Sequence, residues 1–477
     1  MNITVVGQGY VGLVTAACLA DWGHQVTGVD SDPGRISSLA GKQVPFHEPG
    51  LADLVARGVD VGRLAFERSS ATLIESSDVV FLAVGTHDGN GGWQTSTVLA
   101  CLQEIVPDVR DDAVVVIRST LPPEFVGQLD EVVSEIRRQA GRGPIAVLMN
   151  PEFTREGAAI HDFMHPDRVV LGVSRDPDEI GVELLRVVYA RAEAPVLVMP
   201  AMDAALAKLG SNLFLATKIS FANEYASLCD RFGASIDNVV TAMSYDTRIG
   251  GQFLRAGVGF GGSCLPHQVT MTVRTAASVG VSVPLMAAVD EINHRRRSEL
   301  VERLESLVDR PLDRSRIALL GLTFKPHTDD LRDAPSLTIA RHLIDQGATV
   351  VAWDPMASAR DRASEMIPQL RTVAHPEAAL NGADAAAIVT EWPELRSIDW
   401  AAALETMRGN GIFDGRNVLD PNAMSAAGYR YDGFGRGLHE ANPAVSRPAG
   451  TQTIVHDEWP VTAEAEGSDP ASVPAAL

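Results

Sequence analysis

The hydrophobic positions of the chain follow different periods in its outer and middle parts. In residues 1 to about 195, short apolar runs alternate with segments of helical periodicity such as 13–22. The candidate buried strands are 3–6, 25–29, 79–84, 113–117 and 145–149. Alternation of this kind predicts a parallel sheet with helices on both faces.

The strand pattern disappears between about 200 and 308. Residues 202–232 contain few helix breakers and repeat apolar residues on one helical face, namely Leu206, Leu209, Leu213, Ala216 and Ile219. This predicts a helix of about thirty residues, long enough to span two domains. A second long helix is predicted at 284–308. Alternation resumes near 315, with predicted strands at 316–320, 349–353 and 385–389 and a helix at 335–346.

The composition of the chain argues against several kinds of binding partner. The 477 residues carry a formal net charge of −21, which disfavours binding to nucleic acid or anionic membranes. No apolar run approaches the ~18 residues of a membrane span, and the first residues lack signal-peptide features, so we expect a cytoplasmic protein. The four cysteines lack CxxC spacing, which argues against a disulfide framework or a metal site.

The first predicted strand runs directly into a glycine pattern, Gly7-x-Gly9-x-x-Gly12. The first glycine permits a tight turn, the second lets the backbone approach a pyrophosphate, and the third allows close packing of helix and sheet. Asp30 ends the next strand, where a carboxylate would hold a ribose 2′-hydroxyl and repel a 2′-phosphate. The pattern therefore predicts a dinucleotide site that prefers NAD to NADP.

A glycine-rich segment precedes Cys264, with glycines at 257, 259, 261 and 262. Such a backbone can wrap closely round a ligand. Cys264 also stands just before a predicted helix, whose dipole would lower the pKa of the thiol and favour the thiolate. A flexible hairpin with an incidental cysteine explains the same residues equally well.

Three further groups are candidates for chemistry. Lys208 and Asn212 share one face of the long helix, where they could stabilise an oxyanion or merely form a solvated stripe. Glu152 and Glu156 follow a strand, where they could act as acid and base or as helix N-terminal carboxylates. Lys325 and Arg332 could bind phosphate or carboxylate, although spacing alone favours surface ion pairs.

Taken together, these segments resemble the UDP-glucose/GDP-mannose dehydrogenase family from residue 1 to about 435. Within it, Asp246-Thr-Arg-Ile-Gly250 is similar to the UDP-glucose branch. The other matching segments are 7–12, 45–51, 119–122, 150–157, 166–170, Lys208 with Asn212, 259–264 and 324–332.

The resemblance implies two Rossmann-like, doubly wound α/β domains joined by a long central helix. The expected divisions are an NAD-binding domain at 1–199, a helical dimerisation domain at 200–308 and a nucleotide-sugar domain at 309–435. Residues 436–477 are rich in Ala, Pro, Glu and Ser and are predicted to be a disordered tail.

The resemblance also implies a reaction, the four-electron oxidation of a sugar C6 alcohol to a carboxylate with two NAD. Cys264 would capture the aldehyde as a thiohemiacetal, and the thioester formed next would be hydrolysed with Glu152 as general base. Lys208 and Asn212 would stabilise oxyanions, and Thr120 would order the water.

Binding residues follow from the same resemblance. Arg248 would reach the substrate of a neighbouring subunit, in a homodimer or larger oligomer built on the central helix. The expected cofactor contacts are Gly7, Gly9, Tyr10, Val11, Gly12, Asp30, Arg35, Thr86, Thr120, Glu156, His267 and Arg332. The expected substrate contacts are Glu152, Phe153, Glu156, Lys208, Asn212, Arg248, Phe260, Gly261, Cys264, Phe324 and Lys325.

Two positions depart from the family pattern. His267-Gln268 stands where the family has Lys-Asp, and His87 stands where it has proline. Glutamine cannot take a proton as the carboxylate would, whereas His267 could substitute as a base. Three functions therefore stay open: a full nucleotide-sugar dehydrogenase, an oxidoreductase that stops at the aldehyde, and a catalytically silent nucleotide-sugar binder.

Overall fold

The computed structural model describes residues 1–88, 92–174 and 179–436. The predicted tail therefore lies outside the described residues, apart from its first residue, and so does part of the glycine-rich loop at 88–92.

The N-terminal part is an eight-stranded sheet in the order β3-β2-β1-β4-β5-β6-β7-β8. Its strands are β1 Asn2–Val6, β2 Gln25–Val29, β3 Leu64–Glu67, β4 Val79–Leu82, β5 Val114–Ile117, β6 Ala146–Met149, β7 Val169–Val173 and β8 Val196–Pro200. Its helices are α1 Tyr10–Asp21, α2 Pro33–Ala40, α3 Leu51–Asp60, α4 Ala71–Glu75, α5 Ser96–Ile105, α6 Pro123–Val126, α7 Leu129–Gln139, α8 Ala159–Met164 and α9 Glu179–Val188, with a 3₁₀ turn at Val106–Asp108.

The five predicted strands, β1, β2, β4, β5 and β6, run parallel to one another as expected, whereas β7 and β8 were not predicted as strands. β7 pairs antiparallel with β6, so that β7 and β8 run opposite to the first six strands. The sequence pattern revealed only buried apolar runs, which do not encode strand direction. The order still reverses between β2 and β4 around β1, and such a reversal opens a ligand crevice at the carboxyl ends of the strands.

The middle part, 201–308, is fully described and contains helices without strands, as expected. Its helices are α10 Ala201–Phe232, α11 Ile236–Ser244, α12 Leu265–Ser278 and α13 Pro284–Ser306. α10 ends at Gly233, whose φ of 68° is the left-handed geometry that stops helices. The start of α10 packs into the core beneath the first sheet, and its second half packs into the C-terminal core, so one helix serves both.

The C-terminal part is a six-stranded parallel sheet in the order β11-β10-β9-β12-β13-β14. Its strands are β9 Arg316–Leu320, β10 Thr349–Trp353, β11 Arg371–Val373, β12 Ala385–Ile388, β13 Gly411–Asp414 and β14 Arg430–Gly433. Its helices are α14 Pro335–Asp345, α15 Ala357–Met366, α16 Pro376–Leu380, α17 Trp400–Thr406 and α18 Pro421–Ala426, with 3₁₀ turns at Leu312–Arg314 and Pro393–Ser397. The expected pair of doubly wound α/β domains joined by a long helix is confirmed.

Candidate active site

The turn between β1 and α1 forms a cradle that only glycine permits. Gly7 has a φ of 91°, and a Cβ there would lie 2.7 Å from the carbonyl oxygen of Ala83. A Cβ on Gly12 would lie 1.7 Å from the carbonyl oxygen of Gly7. A Cβ on Gly9 would meet nothing within 4 Å, so open space lies in front of that backbone. Tyr10 and Val11 follow in the first turn of α1, and the whole arrangement suits a dinucleotide pyrophosphate.

Asp30 lies at the end of β2, beside this cradle. Its carboxylate accepts hydrogen bonds from the backbone N–H of Gln8 at 2.8 Å and of Asp32 at 2.9 Å, and from Nη1 of Arg35 at 3.0 Å. Burial raises the pKa of Asp30, but these donors outweigh burial and leave the pKa below its usual value. The side chain is therefore an ionised acceptor suited to ribose hydroxyls.

Two further predicted cofactor residues lie at the carboxyl ends of neighbouring strands. Thr86 is buried in the loop after β4. Thr120 follows β5, next to Ser119, whose hydroxyl donates to the carbonyl of Val84 at 2.7 Å. The two strand ends are thus bonded to each other, and they bring Thr86 and Thr120 to one edge of the sheet.

Glu152 and Lys208 form a buried ion pair between the loop after β6 and α10. Nζ of Lys208 lies 3.0 Å from Oε1 of Glu152. The backbone N–H and hydroxyl of Thr154 donate to the other oxygen of Glu152, at 2.7 and 2.5 Å. Burial raises the pKa of Glu152, yet the ammonium and the Thr154 donors outweigh burial and hold the pKa at about 2. Lys208 is thus not part of a solvated stripe.

Cys264 caps the N-terminus of α12, with Sγ 3.6 Å from the hydroxyl of Ser263. The expectation that the helix dipole favours the thiolate is wrong for this structure. Burial raises the pKa of the Cys264 thiol, and the nearby carboxylate of Glu152 raises it further, against the opposing effect of Lys208. The cysteine therefore rests as a neutral thiol beside a buried carboxylate.

Asn212 lies one turn beyond Lys208 and contacts the first turn of α12. Its Nδ2 donates to Oε1 of Gln268 at 2.9 Å, and Gln268 is only 2% exposed. The glutamine that departs from the family pattern therefore fixes the orientation of the Asn212 amide. Sequence spacing could not reveal this bond, because its partners lie on different helices.

Glu156 links the cysteine loop to the C-terminal domain. Its Oε1 accepts from the hydroxyl of Ser263 at 3.2 Å and from Nη2 of Arg332 at 3.1 Å. Burial and the neighbouring Asp330 carboxylate raise the pKa of Glu156 above its usual range. Burial lowers the pKa of Lys325, which lies within electrostatic reach of Glu156. Arg332, with a side chain 56% exposed, thus forms the ion pairs considered above, with Glu156 and with Asp330.

The cysteine loop is held on α13 and on the loop after β9. The side-chain amide of Asn293 accepts from the backbone N–H of Phe260 at 2.8 Å and donates to its carbonyl at 3.0 Å. A Cβ on Gly261 would lie 3.0 Å from Cβ of Phe324, so glycine allows this close packing. Gly262 donates its N–H to the carbonyl of Arg332 at 2.9 Å.

Two predicted substrate residues occupy contrasting positions. The ring of Phe153 lies between two cations, with the guanidinium of Arg168 3.8 Å and Nζ of Lys208 5.3 Å from its centroid. Arg248 lies apart from the cluster, after α11, with its side chain 87% exposed and paired with Asp246. Its role toward a neighbouring subunit stays a prediction.

Comparison with known proteins assigns this architecture. The chain matches the NAD-binding, central and UDP-binding domains of the UDP-glucose/GDP-mannose dehydrogenase family over residues 1–193, 202–295 and 318–421. The chain belongs to this family. The resemblance drawn from the motifs is confirmed, as is NAD as cofactor, and the protein is an NAD-dependent nucleotide-sugar dehydrogenase.

Individual relatives in this family match nearly the whole described chain. It is 40% identical over 441 residues to the UDP-glucose 6-dehydrogenase of Rhizobium meliloti, covering 91% of this chain and 100% of that one. The UDP-glucose 6-dehydrogenase of Pseudomonas aeruginosa is 40% identical over 445 residues, covering 91% and 98%. The solved UDP-glucose dehydrogenase of Pyrobaculum islandicum superposes with a TM-score of 0.81 at 34% identity, covering 91% and 97%.

Glu48, in the 45–51 segment matched to the family, was missing from the predicted site residues. Its carboxylate accepts from the hydroxyl of Tyr10 and from the backbone N–H of Gly157 at 2.6 Å and of Ala159 at 2.8 Å. Glu48 therefore bonds α1 to the segment after β6, which also carries Glu152. The only signal was the motif itself, because nothing in the spacing of 10, 48 and 157 reveals the contact.

Two further observations concern metal sites and membrane-spanning helices in the described residues. Across residues 1–88, 92–174 and 179–436, no group of three or more His, Cys, Asp and Glu side chains could hold a metal ion. None of the helices described there is long and apolar enough to cross a membrane.

Proposed function

We propose that this chain oxidises the C6 alcohol of UDP-glucose to a carboxylate, with two NAD consumed per sugar. The named activity of the relatives supports this substrate, and so does the 246–250 segment. The observation that carries the proposal is the buried Lys208–Glu152 pair beside the Cys264 thiol, since nucleophile, base and oxyanion donor are the groups such an oxidation needs.

Bound NAD supplies the hydride acceptor for each of the two oxidations. Glu152 takes the proton that the C6 alcohol loses as it becomes an aldehyde. Sγ of Cys264 then adds to the aldehyde carbon, and the thiol proton ends on the carbonyl oxygen to give a thiohemiacetal. Lys208 and Asn212 donate hydrogen bonds to that oxygen, which stabilises the negative charge that develops there.

Glu152 releases its first proton to solvent. The second oxidation then removes a hydride from the carbon of the thiohemiacetal, its hydroxyl proton passes to solvent, and a thioester remains on Cys264. Water then attacks the acyl carbon, Glu152 takes a proton from the water, and the carbon–sulfur bond breaks to return the thiol. Thr120 is the group expected to order this water, and Gln268 holds the Asn212 amide in a fixed orientation. Gln268 accepts and donates hydrogen bonds but takes no proton, so the proton transfer falls to Glu152.

The ion pair with Lys208 controls how strong a base Glu152 is during the reaction. While Lys208 contacts Glu152, the pKa of that carboxyl is held at about 2, and the group is a weak base. When the ammonium turns toward a developing oxyanion, Glu152 loses its main counter-charge while staying buried. Its basicity then rises at the moment that a proton must be accepted.

The test is to mix purified protein with UDP-glucose and excess NAD and to count NADH formed per sugar consumed. Two NADH with UDP-glucuronate as product is the expected result. One NADH per sugar would show that the oxidation stops at the aldehyde. No NADH from UDP-glucose or from a panel of other nucleotide sugars would identify a silent binder instead.

We further propose that α10 forms the core of a homodimer. Five of its exposed large apolar side chains fall on one helical face, namely Phe214, Phe221, Tyr225, Leu228 and Phe232. These side chains are between 39% and 71% exposed in the single chain, an unusually large apolar surface to leave in water. A dimer built here would let Arg248, which follows α11, reach toward the partner's site.

A further inference from the structure

The two departures from the family pattern meet in space. His87 lies in the loop after β4, and His267 lies in the first turn of α12. Their imidazole rings stack with centroids 5.4 Å apart and an interplanar angle of 9°. The sequence places them far apart, so it gave no hint that the two substitutions form one contact.

The loop that carries His87 is a small hairpin. His87 and Trp93 form an isolated antiparallel bridge, and Gln94 donates its N–H to the carbonyl of Thr86 at 2.8 Å. Gly92 donates its N–H to the Asp88 carboxylate at 2.8 Å. We call residues 86–88 and 92–94 the cofactor hairpin, because Thr86 is an expected cofactor contact.

A second contact fixes the same hairpin to the same helix. Nε1 of Trp93 donates to Oγ1 of Thr275 at 3.3 Å, roughly two turns beyond His267 along α12. The Trp93 ring also contacts His87, at 5.9 Å between centroids. Trp93, His87 and His267 thus form a row of three rings between the hairpin and the helix that carries Cys264.

The His87 ring is suited to stacking rather than to hydrogen bonding. Its Nδ1 is buried and has no hydrogen-bond partner among the described residues. Burial, with help from His267 and Arg332 and against the effect of Asp88, lowers the pKa of His87 to about 4. The ring is therefore uncharged near neutral pH and presents a neutral face to its neighbour.

We propose that His87 and His267 act as one positioning unit, which holds the cofactor hairpin on the first turn of α12 and thereby sets the affinity for NAD. The unit replaces two separate family residues with one mutual contact. The hairpin begins at Thr86, and Thr120 lies at the strand end bonded to its base, so movement of the hairpin moves expected cofactor contacts. The proposal rests on NAD binding and not on the identity of the sugar.

The test is a double-mutant cycle on NAD affinity, measured by calorimetry without any sugar. We expect H87A and H267A each to raise the dissociation constant for NAD about threefold to tenfold, which is the effect of losing one aromatic pair. The double variant should bind NAD with about the same affinity as whichever single variant binds NAD less tightly, because either change removes the same contact. H87F, which keeps a flat uncharged ring, should bind NAD within about twofold of the original protein.

The matched control is H161A. His161 and His165 also have ring centroids 5.4 Å apart, but His161 is largely exposed on α8. We expect H161A to leave NAD affinity unchanged. If H87A does not fold, comparing H87F with H87N carries the same test, since asparagine is polar but has no ring.

Effects that multiply in the double variant would overturn the proposal, and so would H87F binding as weakly as H87A. A steady-state readout adds a second condition: the KM for NAD should rise in H87A while kcat stays within about twofold. Because calorimetry needs no turnover, the cycle succeeds or fails independently of the proposed oxidation of UDP-glucose.

Discussion

Lys208 and Glu152 form an ion pair whose charged atoms lie 3.0 Å apart while both side chains are less than a tenth exposed. Removing one member of such a pair costs about 3–5 kcal/mol, since it leaves a buried charge without a partner. The pair therefore contributes to folding as well as to the proposed chemistry, and the two contributions can be separated by pH.

We expect Lys208→Met to destabilise the protein more at pH 7 than at pH 5. In the original chain the pKa of Glu152 is held at about 2, below its unfolded value of roughly 4.3, so its stabilising effect is complete above that value and is lost as pH falls toward 2. Without the ammonium, burial is opposed only by the Thr154 donors and Arg118, so the pKa of Glu152 rises and the cost of the substitution grows as pH rises. Melting temperatures measured across this range test the prediction, with Lys208→Arg as the charge-preserving control. A loss that is the same at every pH would contradict it.

Asp30→Ala should weaken the binding of NAD and reduce the preference for NAD over NADP. The change removes charge-assisted acceptors, worth about 1.5–3 kcal/mol, so KM for NAD should rise roughly tenfold or more. It also releases the Arg35 guanidinium, now bonded to Asp30 at 3.0 Å, to meet a 2′-phosphate. Steady-state kinetics with both cofactors provide the measurement, and Asp112→Ala, on a side chain 76% exposed, is the control. Unchanged cofactor preference would refute the ribose assignment.

Cys264→Ser should abolish formation of the acid, by about three orders of magnitude or more, since the thioester cannot form. Mass spectrometry of acid-quenched protein should detect a sugar adduct on Cys264 in the original chain and none in the variant. Cys101→Ser, in a partly buried cysteine outside the site, should retain full activity. Acid production at the original rate by Cys264→Ser would exclude the covalent route.

Gln268→Asp and Gln268→Asn form a matched pair that differs in charge but not in length. Both shorten the side chain that now accepts from Asn212 at 2.9 Å. We expect Gln268→Asp to hydrolyse the thioester faster than Gln268→Asn, because only the aspartate can take a proton from water. Pre-steady-state NADH release separates this step from the oxidations. Equal rates would mean that Glu152 alone limits proton transfer.

Phe221→Glu should convert the proposed dimer to monomers. Phe221 is 43% exposed and stacks on Tyr225 along the outward face of α10, so a charge there would be buried on association. Sedimentation velocity at micromolar concentration measures the change. Val61→Glu, at a residue 67% exposed on the N-terminal domain, is the control. An original chain that sediments as a monomer would end the dimer proposal.

Local patterns predicted much of the fold. The buried strands β1, β2, β9 and β10 were recognisable as runs of apolar residues between turns, and α10 as an uninterrupted helical face. β7 and β8 were not recognised as strands, and the antiparallel pairing of β7 depends on contacts across the sheet that local patterns do not encode. The short strands β3 and β14 include polar or charged residues, and their alternation was too brief to indicate a strand.

The residues that belong to the site could be predicted from the sequence, but the contacts between them could not. Lys208 and Asn212 share a helix face as their spacing requires, yet their bonded partners, Glu152 and Gln268, come from other segments. The prediction that Cys264 is a thiolate was wrong for the same reason. A helix terminus is visible in sequence, whereas burial and an approaching carboxylate are properties of the folded chain.

The bond between Asn293 and Phe260 limits how the cysteine loop can be engineered. The Asn293 amide accepts from and donates to the backbone of Phe260, much as a neighbouring strand would, and a Cβ on Gly259 would lie 2.3 Å from its Oδ1. The loop's shape is therefore encoded in α13 as well as in its own glycines. If residues 257–264 were grafted into another protein, the loop that carries the thiol would be flexible unless the helix bearing Asn293 were grafted with it.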